Sequence, residues 1–262
     1  MSEVEQTLMF MSPENEHLLS IIKKLISTNG YVVEQKKTQH IEDNYFDTKS
    51  GMLGNSKFEL RLRIVDKKIS MITLKIPKKR TEGKFERLEI EKPWSNESFT
   101  EIMKVLNDRL SGHKFGYSDQ YYNKYPKIAL ANANFQKIQM RLTVRKVINA
   151  LNNQNQVEFE FAIDRVCYHP DKPSKQFCLL ELEIESKRSD NHDNLNKIVK
   201  EMITNEQSRF KLWSYSKLVT GKAIDILLSK KEIVENQDID NEKFLTPSGL
   251  EKVYSFMNST RM

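Results

Sequence analysis

Read two residues at a time, residues 58–64 sort into an apolar face (Phe58, Leu60, Leu62, Ile64) and a charged face (Glu59, Arg61, Arg63). That period is the alternation of a strand with one face buried. It returns at 87–91, where the charged residues are Arg87, Glu89 and Glu91, and at 179–185, where they are Glu181, Glu183 and Glu185. Strands are predicted at about 31–37, 40–46, 57–65, 69–76 and 85–91, and again within 137–148, 157–166 and 177–185, most of them separated by short turn signals. The opening residues 3–10 alternate briefly as well. Apolar residues at helical spacing predict amphipathic helices after Ser12-Pro13-Glu14, over 96–111 and over 193–204. The segment 212–228 ends in a further helix. Residues 112–137, with two glycines and four tyrosines, read as an insertion or long connection, and those after about 229 as a polar appendage with little core of its own.

Strands adjacent in sequence and joined by short turns predict an α+β fold, mainly antiparallel β, whose meander closes or nearly closes on itself. An ordinary sheet turns its apolar face to the core and its charged face to water. Repetition argues against that reading here, because a merely solvated face carries Thr, Ser, Gln and Lys without a special excess of Arg and Glu. A charged face lining a channel, with the apolar face covered by the amphipathic helices, accounts for both. Such a face offers carboxylates for a metal ion and guanidinium groups for phosphate.

Net charge is +6, but 42 basic residues stand against 36 acidic ones, so the chain leans toward anionic partners without being a polycation. No apolar stretch reaches the roughly 20 residues that span a bilayer, and the start lacks a basic leader with an apolar run. No membrane association and a cytoplasmic location are the expectation. Cys167 and Cys178 have neither CxxC spacing nor a histidine cluster, which predicts two reduced thiols and no zinc site. The five histidines are scattered. Residues 220–223, Thr-Gly-Lys-Ala, lack the spaced glycines of a phosphate-binding loop.

Several motifs, in order, resemble the CYTH-type triphosphate tunnel metalloenzymes. Glu3-Val4-Glu5-Gln6-Thr7 stands where that family has an ExExK strand, and 44–64 (NYFDTKSGMLGNSKFELRLRI) where it has YFDT followed by an RxR strand. Thr73-Leu74-Lys75, FERLEIE, RLTVRKVI, FAIDRV, LLELEIE and SYSKLVTG then match the family's later elements. Each is weak alone; the ordered conjunction over residues 1–224 carries the resemblance. Position 7 departs from it, with Thr in place of the motif lysine.

The resemblance implies an eight-stranded closed or nearly closed tunnel barrel with a charged interior and helices packed outside, spanning 1–224, followed by a helical, polar extension over 225–262. It implies that Arg61, Arg63, Lys75, Arg87, Arg141, Arg145 and Lys217 face the phosphates. It makes Glu3, Glu5, Glu181 and Glu183 ligands of Mg²⁺ or Mn²⁺, with Asp164 and Glu89 as catalytic carboxylates. Arginine forks match phosphate oxygens, and hard divalent ions take carboxylate oxygens. The implied partner is a triphosphate-bearing small molecule or an RNA 5′ end, and a homodimer is left open. The implied activity is metal-dependent hydrolysis of the terminal phosphoanhydride of tripolyphosphate, a nucleoside triphosphate, thiamine triphosphate or triphosphorylated RNA. A class IV type adenylate cyclase and, given Thr7, a catalytically weakened polyphosphate- or RNA-binding module are the alternatives.

Overall fold

The strands predicted from period-two alternation are present in the computed structural model, which describes residues 4–11, 15–77, 87–110, 115–116, 125–188, 192–205 and 209–260. Among these the elements run β1 (Val4–Phe10), α1 (Asn15–Thr28), β2 (Val32–Gln35), β3 (Gln39–Thr48), α2 (Met52–Asn55), β4 (Glu59–Val65), β5 (Ile69–Pro77), β6 (Arg87–Pro93), α3 (Asn96–Arg109) and α4 (Pro126–Asn132). There follow β7 (Phe135–Leu151), β8 (Val157–Tyr168), β9 (Phe177–Ser186), α5 (His192–Asn205), β10 (Phe210–Leu212), α6 (Lys217–Ser229) and α7 (Pro247–Thr260). The chain divides into two compact units, residues 40–142, and residues 1–39 with 143–262.

In the 40–142 unit β4 pairs antiparallel with both β3 and β5, and β5 with β6. The apolar face formed by Phe46, Leu60, Leu62, Ile72 and Leu74 packs under Phe99, Ile102, Met103 and Leu106 of α3, with Leu53 of α2 and Leu130 of α4 at its margin. The period of 3.6 on α3 meets the period of 2 on the strands, and each element buries its one apolar side. Helix α3 starts where Ser95 Oγ accepts from Ser98 N at 3.1 Å. Asp47 ends β3 by accepting from Thr48 N, Leu53 N and Gly54 N at 2.7, 2.8 and 3.0 Å, which fixes the turn into α2.

The other unit pairs β9 with β1 and β8, β10 with β1, and β2 with the end of β7, all antiparallel. Its apolar face, including Leu8, Phe161, Ile163, Leu182 and Ile184, lies under Leu18, Ile22 and Ile26 of α1 and Leu195, Ile198 and Met202 of α5. In both units the helices therefore cover the apolar face and leave the charged face on the opposite side of the strands.

Three expectations are corrected. Ten strands are described, and among the described residues β6 pairs only with β5 and β10 only with β1, so hydrogen bonding does not close an eight-stranded barrel. The three residues of β10 are too few to show a period. Cys167 and Cys178, directly opposite on β8 and β9, form a disulfide instead of standing reduced. Residues after 229 do carry a core: Ile233, Ile239, Leu245, Leu250, Val253 and Met257 are buried with Ile224 and Leu227 of α6. Asp238, fully buried, organises this segment by accepting from Val234 N at 2.9 Å, Ser248 Oγ at 3.1 Å and Lys252 Nζ at 2.6 Å. Helix α7 comes so close that a Cβ at Gly249 would lie 2.4 Å from the Asp238 carbonyl oxygen, so only glycine fits there. The connection expected at 112–137 contains α4 and the start of β7; residues 111–114 and 117–124 lie outside the described residues. Among the described residues no helix is long and apolar enough to cross a membrane.

Candidate active site

On the charged face of the 40–142 unit, register sets Tyr45, Arg61, Thr73 and Glu91 in one row and Asp43 beside Arg63 in the next. Asp43, almost fully buried, receives Arg63 Nε at 2.8 Å and Arg63 Nη2 at 3.0 Å, a two-pronged pair, and Arg141 Nη2 at 3.1 Å. Arg61 Nε lies 3.7 Å from the same carboxylate. Arg141 also donates to Tyr45 Oη at 2.5 Å, with its guanidinium carbon 4.5 Å from the ring centre. Arg61 Nη2 donates to Glu91 at 2.8 Å and to Thr73 Oγ1 at 3.2 Å, while Lys75 Nζ pairs with Glu89 at 2.9 Å.

Burial alone would raise the Asp43 carboxyl; Arg61, Arg63 and Arg141 outweigh it and hold the group far below the usual carboxylate range. Burial likewise works against the charge of Arg61, and Asp43 more than restores it. Glu91 is lowered against its burial by Thr73 and the two arginines. Asp43, Arg61 and Glu91 are thus held in their charged forms.

In the other unit the charged face carries Glu5, Thr7 and Met9 of β1 opposite Glu185, Glu183 and Glu181 of β9, and Asp164 of β8 opposite Glu181. Arg145 of β7 donates to both oxygens of Asp164 at 2.7 and 2.5 Å and to Glu183 at 2.5 Å. Lys217, the first residue of α6, reaches the same centre because Ser216 caps the helix there, accepting from Val219 N at 3.3 Å. Its Nζ lies 2.8 Å from Glu181 and 3.4 Å from Asp164, and it donates to Glu183. Burial works against the charge on Lys217, yet Glu181, Glu183 and Asp164 hold the ammonium well above the lysine range. Arg145 is raised in the same way by Asp164 and Glu183. Glu181 goes the other way: burial pushes its carboxyl up, and Lys217 only partly offsets this. Neither Glu181 oxygen receives a well-directed hydrogen bond.

The sequence-predicted residues therefore fall into two groups, each internally connected. Arg61, Arg63, Lys75, Arg141 and Glu89 belong to the 40–142 unit, Glu89 being the more exposed member of its pairs with Lys75 and Arg61. Glu5, Arg145, Asp164, Glu181, Glu183 and Lys217 belong to the other. Glu3 and the Arg87 side chain lie outside the described residues. Glu5 is exposed, accepts from Thr7 Oγ1 at 3.3 Å and faces Glu185, two residues along β9 from Glu183. Among the described residues no three acidic, histidine or cysteine side chains are arranged to hold a metal ion, because Lys217 and Arg145 draw the carboxylates toward themselves.

Sequence reading missed Asp43, and it quoted Tyr45 and Thr73 only as motif positions, without a role at the site. Asp43 and Tyr45 do alternate with buried Phe46 and Asn44, but only strand register shows that they face Arg63 and Arg61.

A CYTH domain model matches residues 16–211. A sequence comparison with curated proteins returns no match. Among solved structures, one similar chain comes from Hippeastrum, an adenylyl cyclase candidate with a dominant triphosphatase activity. It shares 16% identity, with 85% of this chain and 96% of that one covered, and a TM-score of 0.54. A protein from Pyrococcus horikoshii OT3 shares 15% identity, covering 87% of this chain and 99% of its own, at a TM-score of 0.46. The Mimivirus capping enzyme triphosphatase shares 11%, covering 76% and 88%, at 0.36. The likeness to the Hippeastrum chain is one of fold.

Proposed function

Because the chain belongs to the CYTH family, we propose that it is a divalent-metal-dependent triphosphatase that hydrolyses the terminal phosphoanhydride of a triphosphate. The observation that carries this reading is the buried knot of Asp164, Glu181 and Glu183 around Lys217 and Arg145. A cluster that needed only to be stable would gain from apolar replacement, since burying ion pairs costs about as much as they return. Two cations and three carboxylates on one sheet face make sense where an anionic ligand and a cation exchange with them.

The donor types suit a hard cation, although among the described residues the carboxylates are not arranged as a metal cluster while Lys217 and Arg145 occupy them. The donor atoms are carboxylate oxygens, and the buried Glu181 carboxylate lacks a well-directed hydrogen-bond donor. Glu181, Glu183 and Asp164, with Glu5 nearer solvent, would hold Mg²⁺ or Mn²⁺. Once bound, the ion supplies positive charge against the phosphate oxygens. Lys217 and Arg145, relieved of the carboxylates, bind the terminal phosphate and stabilise negative charge that builds as the anhydride bond breaks. Asp164 and Glu181 orient the attacking water. Within the 40–142 unit, Arg61, Arg63, Lys75 and Arg141 offer phosphate-binding charge of their own, with Asp43 keeping the guanidinium groups aligned. Glu89 holds Lys75 in place.

Phosphate release from tripolyphosphate, ATP, GTP, thiamine triphosphate and triphosphorylated RNA, each with Mg²⁺ or Mn²⁺, tests the reading. At least one substrate is expected to turn over, with activity lost in EDTA and restored by the ion. Glu183→Gln is expected to lower kcat about 100-fold, and Arg63→Ala to raise KM about tenfold with a smaller change in kcat. Wild-type kinetics in both variants would refute the assignments. Cyclic AMP with pyrophosphate as products would establish the cyclase instead. A binding module without catalysis is the reading that Thr7 favours, because it stands opposite Glu183 where a cation is expected; metal-independent polyphosphate binding with no turnover would establish it.

A further inference from the structure

Beyond Met9, which stands opposite Glu181, β1 no longer accompanies β9. The tail takes its place at the rung of Cys178. Cys178 N donates to the Lys243 carbonyl oxygen at 2.6 Å and Leu245 N to the Cys178 carbonyl oxygen at 3.1 Å, which makes a parallel bridge between Cys178 and Phe244. Both main-chain groups of Cys178 thus hold the tail, while its side chain, through the disulfide to Cys167, holds β8. Phe244 packs in the cluster of Cys178 and Leu180, whereas Leu245 turns to the other side, into the cluster of Leu250 and Val253 of α7. Residues 243–245 are therefore a strap around the edge of β9, and the disulfide lies at the rung that anchors it.

A second observation comes from Arg165. It stands on β8 opposite Leu180, two residues from Cys167, and its guanidinium carbon lies 4.9 Å from the centre of the Phe244 ring. Because β9 runs between β8 and the strap, this side chain crosses β9 beside Cys178 to reach that ring. Its Nε is buried without a hydrogen-bond partner among the described residues. Such a group costs solvation on an apolar face. Beside a pair of sulfurs it has a use, since a guanidinium favours the thiolate that cleavage of a disulfide releases. The two sulfurs are also unequal: Cys178 is 1% exposed, whereas Cys167 is only half-buried, so an attacking thiolate meets Cys167 first.

We infer that Cys167–Cys178 is a reversible redox site, opened by a dithiol, which sets how firmly the C-terminal strap and the β8–β9 hairpin are held. A thiolate of the reductant attacks Cys167 Sγ; the S–S bond breaks, a mixed disulfide forms at Cys167, and Cys178 leaves as a thiolate beside Arg165. The reductant's second thiol gives up its proton, attacks its own sulfur in the mixed disulfide and releases Cys167. The dithiol ends as a cyclic disulfide, and its two electrons and two protons end on the two cysteines. Strand pairing keeps their Cα atoms 4.1 Å apart, so the sulfurs stay neighbours and an added disulfide restores the bond. Asp164 and Glu181 lie three residues from the opened rung, and α7, which follows the strap, packs on the α6 that begins at Lys217. The oxidised chain is therefore the active form. The effect on activity rests on the triphosphatase reading; the redox site itself does not.

The test treats the oxidised full chain with dithiothreitol and follows thiol titration under native conditions, amide hydrogen exchange and phosphate release. Both thiols are expected to appear without unfolding, and amides of 177–180 and 243–257 to exchange at least about tenfold faster. Phosphate release should fall about tenfold and return on addition of glutathione disulfide. Arg165→Met is expected to leave the activity of the oxidised chain unchanged and to slow the appearance of thiols about tenfold. The double variant Cys167→Ser, Cys178→Ser should exchange like the reduced chain and ignore dithiothreitol. Thiols that appear only in denaturant, or a reduced chain that exchanges and turns over like the oxidised one, overturn the inference and leave the triphosphatase reading standing. Absence of phosphate release from both forms under any metal overturns that reading, and thiol titration with hydrogen exchange still decides the redox site.

Discussion

Lys217→Met is expected to reduce kcat/KM for the best triphosphate substrate by about 100-fold or more. The lysine is the one cation that touches all of Asp164, Glu181 and Glu183 among the described residues, from a helix start that places it on the carboxylates. Removing it deletes charge that the proposed mechanism aims at the terminal phosphate and takes away the ion-pair partner of Glu181, while Arg145 still holds Asp164 and Glu183. Breaking a buried pair from one side costs about 3 kcal/mol or more, so the variant should also unfold at lower urea concentration. Phosphate release at saturating and limiting substrate, with a urea titration on the same preparation, checks both. A folded variant with near-wild-type turnover would remove Lys217 from the centre of the site.

Asp43→Asn should act differently, on binding and on the acid limb of stability. The carboxylate neutralises a crowd of three guanidinium groups, so its loss is expected to cost about 3 kcal/mol at pH 7. It should also raise KM about tenfold as the arginines move apart. Its folded pKa is depressed. Its stabilisation is therefore fully present above the unfolded value of about 3.9 and lost as pH falls below it. The stability curves of wild type and variant should converge on acidification below about pH 4 and stand furthest apart near neutrality. A gap independent of pH between 2 and 7 would show that Asp43 acts through packing alone.

Half-buried strands announce themselves, which is why β4, β6 and β9 and the amphipathic α1, α3 and α5 were legible: each has one solvent-averse side, and its period survives in the sequence. What needs a partner did not show. Asp43 becomes significant only once register sets it against Arg63. Cys167 and Cys178 carry no local spacing signal because the sheet, not the chain between them, brings them together. In the tail, the buried residues 233, 239 and 245 are spaced too widely for either period and only 250, 253 and 257 of α7 keep a helical spacing, so a segment organised around one buried carboxylate, Asp238, read as polar. The charged residues were recognisable as a set; the separation into an arginine-rich group around Asp43 and a carboxylate-rich group around Lys217 depends on contacts between strands.

The β8–β9 hairpin brings Asp164 and Glu181 opposite each other by pairing alone, and pairing can slide. A shift of one strand by a single residue would present Ile163 or Leu182 where a carboxylate belongs and push acid under α1 and α5. The Cys167–Cys178 bond lies on the helix side of the same two strands, three residues from each of those acids, and ties one specific rung of the ladder. Out-of-frame versions of the hairpin are thereby denied to the oxidised chain, and the chemistry on one surface is kept in alignment by a covalent staple on the reverse.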